Sequence, residues 1–382
     1  MLTATVVGCA PVTRVPTVDP KEAAREAEKQ RELFVTSYVA DSQRLHRVTY
    51  RILRDNAEFC GEKVRAGTGI KVIDEDTFKD DYRAAATRLY GFGDGQAAIV
   101  GVALGSPADR AGIRVGDVVT GFAGRAYGEE AKREQKSYQS RDEAALAEMA
   151  ADERSRDEIV ADIGRPVNID IQRDGQAQKF TIVPEPVCAY GDAVAVSPLV
   201  NAMADGHNIV FTTAMMRFAK TDDELAVVVG HEVAHNHMGH IDKQHGNQAI
   251  GFLFDLVFAG FGVNTQGLFT KLAGQAFSQA FEAEADYVGL YMAARAGFPI
   301  ETAPKFWRRM AEANPASIEK SVGSTHPSTP ERFVALEKTV DEIDAKIAAH
   351  AALTPELKDW SLAGGEPVAQ PGRDSTDALR ER

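Results

Sequence analysis

Between Thr221 and His240 the sequence reads TDDELAVVVGHEVAHNHMGH, with His231, Glu232 and His235 in the order His-Glu-x-x-His. On an α-helix of 3.6 residues per turn, His231 and His235 rise one above the other on one face, with Glu232 beside them. Two imidazoles so placed can grip one zinc ion, and the adjacent carboxylate can take a proton from a water that the metal polarises. Thr221-Asp222-Asp223-Glu224 has the form of a capping box that starts this helix. Leu225, Val228 and Val229 bury one flank, and Gly230 removes a side chain just before the first histidine. His237, His240 and His245 follow off the four-residue spacing and read as surface groups or as support behind the ligands.

A catalytic zinc takes three protein ligands and keeps its fourth position for water, so a third ligand must come from elsewhere. Phe277 to Arg295, FSQAFEAEADYVGLYMAAR, reads as a second helix, ended by Gly297-Phe298-Pro299. Glu282 and Asp286 stand four apart and share a face of it, amid Phe281, Ala283, Ala285, Val288 and Leu290. They either meet a cation across the helix interface or form a solvated stripe. Glu284 is turned off that face and is the weaker candidate. Asn208 to Thr213 reads as a strand just ahead of the zinc helix. As an edge strand it could hydrogen-bond an extended substrate backbone; as an interior strand it has no such role.

The elements that must hold these groups lie in a chain of 382 residues, 44% hydrophobic, which is enough for two domains with real cores. A formal net charge of −13 argues against a nucleic-acid partner, because phosphate binding needs a basic surface. Lys21 to Phe59 reads as a helix, with Leu33, Val39, Leu45, Val48 and Ile52 spaced for an apolar stripe. Ile70 to Ile73 makes a short strand. From about Leu89 short strands and glycine turns take over: Ala97–Val102, a short helix opened by Gly105-Ser106-Pro107-Ala108 and ended by Gly112, then Arg114–Val119. Val167–Ile171 and Lys179–Val183 alternate about Asp174-Gly175, a hairpin signal. Gly128 to Gly164 is charged and helical in pattern. Ala249 to Val263 is apolar, but Asp255 and its glycines leave it too polar to span a bilayer. It reads as a hairpin packed on the domain or lidding the cleft, or as a membrane-dipping or partner-binding loop.

MLTATVVGC at the start is similar to the end of a lipoprotein signal, with Val6-Val7-Gly8-Cys9 as a lipobox. On that reading Cys9 is lipidated and residues 10–35 form a polar tether; otherwise the stretch is a frayed terminus. Cys60 and Cys188 remain as an even pair, either one disulfide in an oxidising periplasm or two buried thiols. The tail 348–382, with Gly364-Gly365 and prolines, reads as disordered.

The block from Leu89 to Pro184 resembles a PDZ domain of the bacterial periplasmic kind, on the run GSPADRAGIRVGDVVTGFAGR and the loop Tyr90-Gly91-Phe92-Gly93. The resemblance implies that this loop offers N–H groups to a peptide's C-terminal carboxylate and that the following strand pairs with the peptide. Gly128–Gly164 is longer than the usual connection and reads as an inserted helical arm.

The other half resembles the zinc metallopeptidases that include the heat-shock protease HtpX, the CAAX prenyl endopeptidases and a soluble branch of periplasmic lipoproteins. The matching features run in order: Asn201-Ala202-Met203-Ala204-Asp205-Gly206, Asp223-Glu224-Leu225-Ala226 entering the His-Glu-x-x-His helix, Glu-Ala-Glu-Ala-Asp at 282–286, then His326-Pro327 and Arg332. This implies Glu282 as the third zinc ligand and Asp286 orienting a ligand histidine from behind. It also implies Arg332 and Asn201 in support, and His326 over the cleft, donating to the oxyanion or capping the metal. Leu45–Cys60 is similar to the helix that opens such a domain, so the PDZ block becomes an insertion with Cys60 and Cys188 near its junctions.

The expected fold is α+β: a mainly helical zincin-type domain with a small sheet, plus an inserted β-rich PDZ domain. The expected boundaries are 1–9 signal, 10–35 tether, 36–85 helical opening, 86–185 PDZ with its arm at 128–164, 186–347 peptidase and 348–382 tail. The expected function is a metalloendopeptidase with one Zn2+ per chain, acting on unfolded or misassembled envelope polypeptides, its PDZ unit recruiting C-terminal peptides. It would be lipid-anchored on the periplasmic side of a bacterial envelope. The rival is a PDZ adaptor or chaperone-like protein with a resting or structural zinc site.

Overall fold

Helix α1, Pro20–Asp55, runs 36 residues, about 54 Å at 1.5 Å per residue. Asp19 caps it, accepting from the amides of Lys21 at 2.7 Å and Glu22 at 3.3 Å, and Pro20 supplies the preset first turn. Residues 20–35, expected as tether, are therefore helix, because a run of Ala, Glu, Lys and Arg behind a good cap favours it. The structure, a computed structural model, describes residues 15–127, 162–243, 279–313, 326 and 329–356. Cys9, residues 128–161 of the charged arm, His245, the apolar run 249–263 and the tail beyond 356 lie outside the described residues.

The chain continues as α2 (Ala57–Cys60), β1 (Val64–Gly67), β2 (Ile70–Asp74), α3 (Asp80–Tyr90), β3 (Ala97–Val102), α4 (Pro107–Ala111), β4 (Val118–Phe122), β5 (Arg125–Ala126), β6 (Val167–Arg173), β7 (Gln176–Ile182) and β8 (Glu185–Cys188). A sheet of order β2-β3-β4-β6-β7, with β5 beside β4, is antiparallel throughout. Side chains alternate across a strand. Ile70, Val72, Ile99, Val119, Ile169 and Ile171 accordingly close one core with Ala108 of α4, while Ile73, Ala98, Val100 and Val118 face Val35 and Val39 of α1 and Ala85 and Ala86 of α3. The β6–β7 hairpin turns at Asp174 and Gly175, with φ of 50° and 77°, as a two-residue turn of this type requires.

The sheet begins at Ile70, ahead of the expected boundary at 86, because β2 pairs with β3 rather than with the helical half. β1 and β8 pair antiparallel, Val64 opposite Cys188, where the chain leaves and re-enters that half. Cys60 and Cys188 are disulfide-bonded there, with Cα atoms 5.6 Å apart.

The remaining elements are β9 (Gly191–Ala195), β10 (Ala202–Ala204), β11 (Asn208–Thr212), α5 (Thr213–Phe218), α6 (Asp222–His237), α7 (His240–Lys243), α8 (Gln279–Arg295), α9 (Ala303–Ala313) and α10 (Pro330–Ala348). The second sheet runs β10-β11-β9. The 208–212 strand is thus interior, with β10 and β9 at the two edges. Helix α6 is buried on all sides from Leu225 to Asn236, as befits a helix apolar around most of its girth. Thr221 caps it through the Glu224 amide at 3.2 Å. Glu224 reaches back one residue further than a capping box predicts, accepting from the Lys220 amide at 2.8 Å, and pairs with Arg309 at 2.7 Å. Residues 349–356, expected as loose tail, stay packed: the Glu356 amide donates to the Tyr287 hydroxyl at 2.9 Å and its carboxylate pairs with Lys346 at 2.6 Å.

The two halves also meet in a buried ionic cluster. Asp192 of β9 accepts from His46 of α1 at 3.1 Å, and Lys71 of β2 donates to the Asp192 carbonyl at 2.9 Å. Burial would raise the Asp192 pKa, but Lys71, His46 and Arg65 outweigh it and hold the carboxyl below its ordinary value of 3.8. A depressed folded-state pKa contributes stability above the unfolded value that is lost as pH falls through the folded one. Asp192→Asn should therefore destabilise the fold by about 3–5 kcal/mol at neutral pH, since Lys71 stays buried without its counter-charge. It should also flatten the loss of stability that the wild type shows on acidification below about pH 4, as read by urea denaturation across pH.

Candidate metal centre

Helices α6 and α8 cross with their backbones in contact. A Cβ added at Gly289 would lie 2.7 Å from the Gly230 carbonyl carbon and the His231 amide, and one at Gly230 would run into the Gly289 carbonyl. This approach brings His231, Glu232 and His235 of α6 against Glu282 and Asp286 of α8, while His326 arrives from the segment ahead of α10. His231 Nε2 lies 3.1 Å from His235 Nε2 and 3.6 Å from Glu282 Oε2, and His235 Nε2 is 3.4 Å from Glu282 Oε1. His326 Nδ1 is 3.2 Å from His231 Nε2 and 2.9 Å from Glu282 Oε1. Donor atoms about 2.0–2.1 Å from a tetrahedral zinc stand about 3.3–3.4 Å from one another. The four side chains are buried and their spacing follows the edges of such a tetrahedron, so the donor set fits a zinc ion.

The ligand side chains are themselves held. His231 Nδ1 meets Asp286 Oδ1 at 2.9 Å, which leaves Nε2 to face the cluster. Arg332 grips Asp286 with Nε at 2.8 Å and Nη2 at 2.9 Å, and reaches Glu282 Oε2 with Nη1 at 2.8 Å. Trp307 covers both, its ring 5.0 Å from that of His231 and 5.3 Å from the Arg332 guanidinium. Nothing in the sequence singled Trp307 out. His240, which its sequence position allows either at the surface or in support, is fully buried, with Nδ1 3.0 Å from His235 Nδ1 and Nε2 2.9 Å from Glu284. Asn201 is buried at the head of β10, where its carbonyl accepts from the Thr212 amide at 3.1 Å and the Thr212 hydroxyl at 3.0 Å. Its backbone thereby helps to set the edge strand β10.

The electrostatics call for a cation. Three buried carboxylates, Glu232, Glu282 and Asp286, face one buried guanidinium, Arg332, so carboxylates outnumber the fixed cation and the pocket favours positive charge. Burial would raise Glu282, but His326 and Arg332 hold it well below its ordinary value; for Asp286, Arg332 and His231 likewise outweigh burial. Burial takes His235 down to about 3, so its imidazole is neutral and can ligate. For His326 burial pulls downward, yet Glu282 and Glu232 push it up to about 9, a measure of how anionic the pocket is. Glu232 is raised, chiefly by burial, against the pull of His326 and His231.

The loop Tyr90–Gly93 does not have the geometry expected of a carboxylate cradle. Gly91 is the left-handed cap of α3, its amide bonded to Thr87 O at 2.9 Å; the Gly93 amide donates to Gln96 Oε1 at 2.8 Å; and Phe92 is buried against α1. The strand that follows, β3, lies between β2 and β4, so it offers no open edge to a peptide.

A buried His-Glu-x-x-His helix and a glutamate from a neighbouring helix together present the donor set of a zinc site. Residues 174–340 match the model of Peptidase family M48. The mitochondrial metalloendopeptidase OMA1 of Arabidopsis thaliana is 34% identical over 146 residues, 36% of this chain and 29% of that protein. The OMA1 of Danio rerio is 30% identical over 225 residues, 52% of this chain and 46% of that protein. The beta-barrel assembly-enhancing protease of Yersinia pestis is 30% identical over 128 residues, 30% of this chain and 26% of that protein. The chain thus spans less than half the length of each of these relatives.

Because the ligand spacing depends on the backbone contact, Gly289→Ala should both destabilise the protein by about 1–3 kcal/mol and loosen metal retention. Denaturant unfolding together with zinc competition against a chromophoric chelator measures both effects.

Proposed function

We propose that the chain is a zinc-dependent metalloendopeptidase in which His231, His235 and Glu282 hold the metal. The observation that carries this reading is the set of donor atoms spaced as the edges of one tetrahedron, with Glu232 beside them. A zinc ion bound there supplies Lewis acidity, lowering the pKa of a water and polarising the scissile carbonyl. Glu232 acts as the general base and then the general acid: it takes the proton of the attacking water and delivers it to the leaving amine. Its Oε2 has no hydrogen-bond partner among the described residues, and its raised pKa suits a group that must hold that proton between the two steps. Asp286 and Arg332 hold His231 and Glu282 in place while the charge changes.

In this reading His326 is a cap rather than an oxyanion donor. Its Nδ1 sits among the ligand atoms, and its Nε2 donates to the Ala202 carbonyl of the edge strand β10 at 3.3 Å. One ring thereby covers the metal position and a backbone acceptor that an extended substrate would use, which gives a resting form and accounts for the adaptor-like rival reading. The substrates are polypeptides, and the relatives named for beta-barrel assembly point to misassembled envelope proteins. The sheet from β2 to β7 is a PDZ-like unit of the bacterial type inserted in the peptidase. The buried disulfide suits a periplasmic setting, with Cys9 as lipid anchor, in the lipoprotein branch related to HtpX.

Glu232→Gln should keep zinc at wild-type stoichiometry and lose cleavage of an unfolded protein such as casein. Cleavage at the wild-type rate by the purified, zinc-loaded variant would sink the assignment. His326→Ala should speed the same hydrolysis severalfold, measured as initial rate at fixed zinc content; a slower variant would make His326 a donor to the reaction instead.

A further inference from the structure

We infer that His240 and Glu284 form a second supporting arm behind the metal centre, which fixes His235 in the tautomer that presents a bare Nε2 to the zinc. The inference rests on the zinc reading above and assigns two residues that the chemistry of that reading does not use.

His235 has its two ring nitrogens in different surroundings. Nε2 faces His231 Nε2 at 3.1 Å and Glu282 Oε1 at 3.4 Å, inside the ligand cluster. Nδ1 faces away, 3.0 Å from His240 Nδ1. To ligate through Nε2 the ring must carry its proton on Nδ1, and that N–H then donates to His240 Nδ1. An accepting Nδ1 forces the His240 proton onto Nε2, which lies 2.9 Å from Glu284 Oε2 and donates to that carboxylate. These contacts give each ring nitrogen between the carboxylate and the metal a mutually consistent donor or acceptor role.

The framework around His240 holds it for this role. Helix α6 ends at His237, and Gly239, with φ of 65°, turns the chain so that α7 restarts with His240 facing back toward His235. The His240 ring is 0% exposed and stacks on Phe281 at 4.5 Å with an interplanar angle of 18°. Glu284, at 42% side-chain exposure, connects the buried pair to solvent. The acidic residues of the Glu-Ala-Glu-Ala-Asp run therefore divide the work: Glu282 to the metal, Asp286 to His231, and Glu284, through His240, to His235. The two arms differ in kind. His231 is braced by a carboxylate that Arg332 neutralises, whereas His235 is braced by an imidazole whose carboxylate faces water.

His240 and Glu284 are positioning residues, so the test reads metal binding directly. In the full chain, zinc affinity is measured by chelator competition, and the cobalt(II)-substituted protein is followed by its visible absorption bands. His240→Phe keeps the ring and its stacking but has no acceptor; it should bind zinc about 10–100-fold more weakly and shift the cobalt bands. His240→Asn places an amide oxygen near the Nδ1 position and should recover affinity to within a few-fold of wild type. Glu284→Ala should weaken zinc a few-fold. Wild-type affinity and cobalt bands in His240→Phe, or a His240→Asn no better than His240→Phe, would overturn the inference. Should His240→Phe fail to fold, Glu284→Ala decides, since its side chain is partly exposed: unchanged zinc affinity there counts against the arm. A wild-type chain that binds neither zinc nor cobalt would instead overturn the metal reading itself.

Discussion

The contact between the backbones of α6 and α8 at Gly230 and Gly289 governs the geometry of the whole centre. Helices packed through larger side chains sit about 8–10 Å apart, and side chains as short as histidine and glutamate then have little reach to spare. With no Cβ on either helix at the crossing, His231, His235 and Glu282 converge to donor separations of 3.1–3.6 Å. The rest of the helical half serves this crossing. Leu45, Ile52 and Leu53 of α1 belong to the same core as the apolar flanks of α6 and α8, and Trp307 of α9 closes over the ligand face.

Such close packing also strips water from the acidic groups. Buried carboxylates are costly unless matched, and here one arginine serves two of them while leaving the charge balance short of neutral. The same imbalance that would destabilise an empty pocket becomes affinity for a divalent ion, so the metal and the fold are coupled through one electrostatic account. Arg332 occupies the start of α10, just after Thr329 caps that helix. The segment that delivers His326 is therefore tied on its C-terminal side to the residue that holds Glu282 and Asp286.

What could be read from the sequence follows the range of the interactions involved. His231, Glu232 and His235 declare themselves because helical periodicity is local, and Thr221 announces the helix start for the same reason. Glu282 shows itself locally only as one of two carboxylates on a helix face, while His326, 95 residues from His231, and Arg332 obey no local rule and come forward only through the family resemblance. His240 escaped assignment because five residues is the wrong step on a continuous helix, and the break at Gly239 that makes it the right one is a backbone turn. The strand at 208–212 was legible as a strand but not as an interior one, since neighbours in a sheet are not written in the alternation of one strand. Ile70–Ile73 was likewise visible as extended chain, while its membership of the larger sheet depends on β3. The loop Tyr90–Gly93 misled because glycines that cap a helix look, in sequence, like glycines that free amides for a ligand.

The antiparallel pair β1 and β8, with the disulfide beside it, brings the two ends of a long excursion into register across a single ladder. Seen from the helical half, that excursion has the boundary conditions of a hairpin loop: its ends are adjacent, and the closure is held by bonds outside the sheet it encloses. The entropy of closing a loop grows only slowly with its length. A chain built this way can accept enlargement, shortening or exchange of the enclosed unit while the helix crossing at Gly230 and Gly289 stays as it is. The doorway at Val64 and Cys188 thus separates the two halves mechanically, so that a change in the enclosed unit need not reach the metal centre.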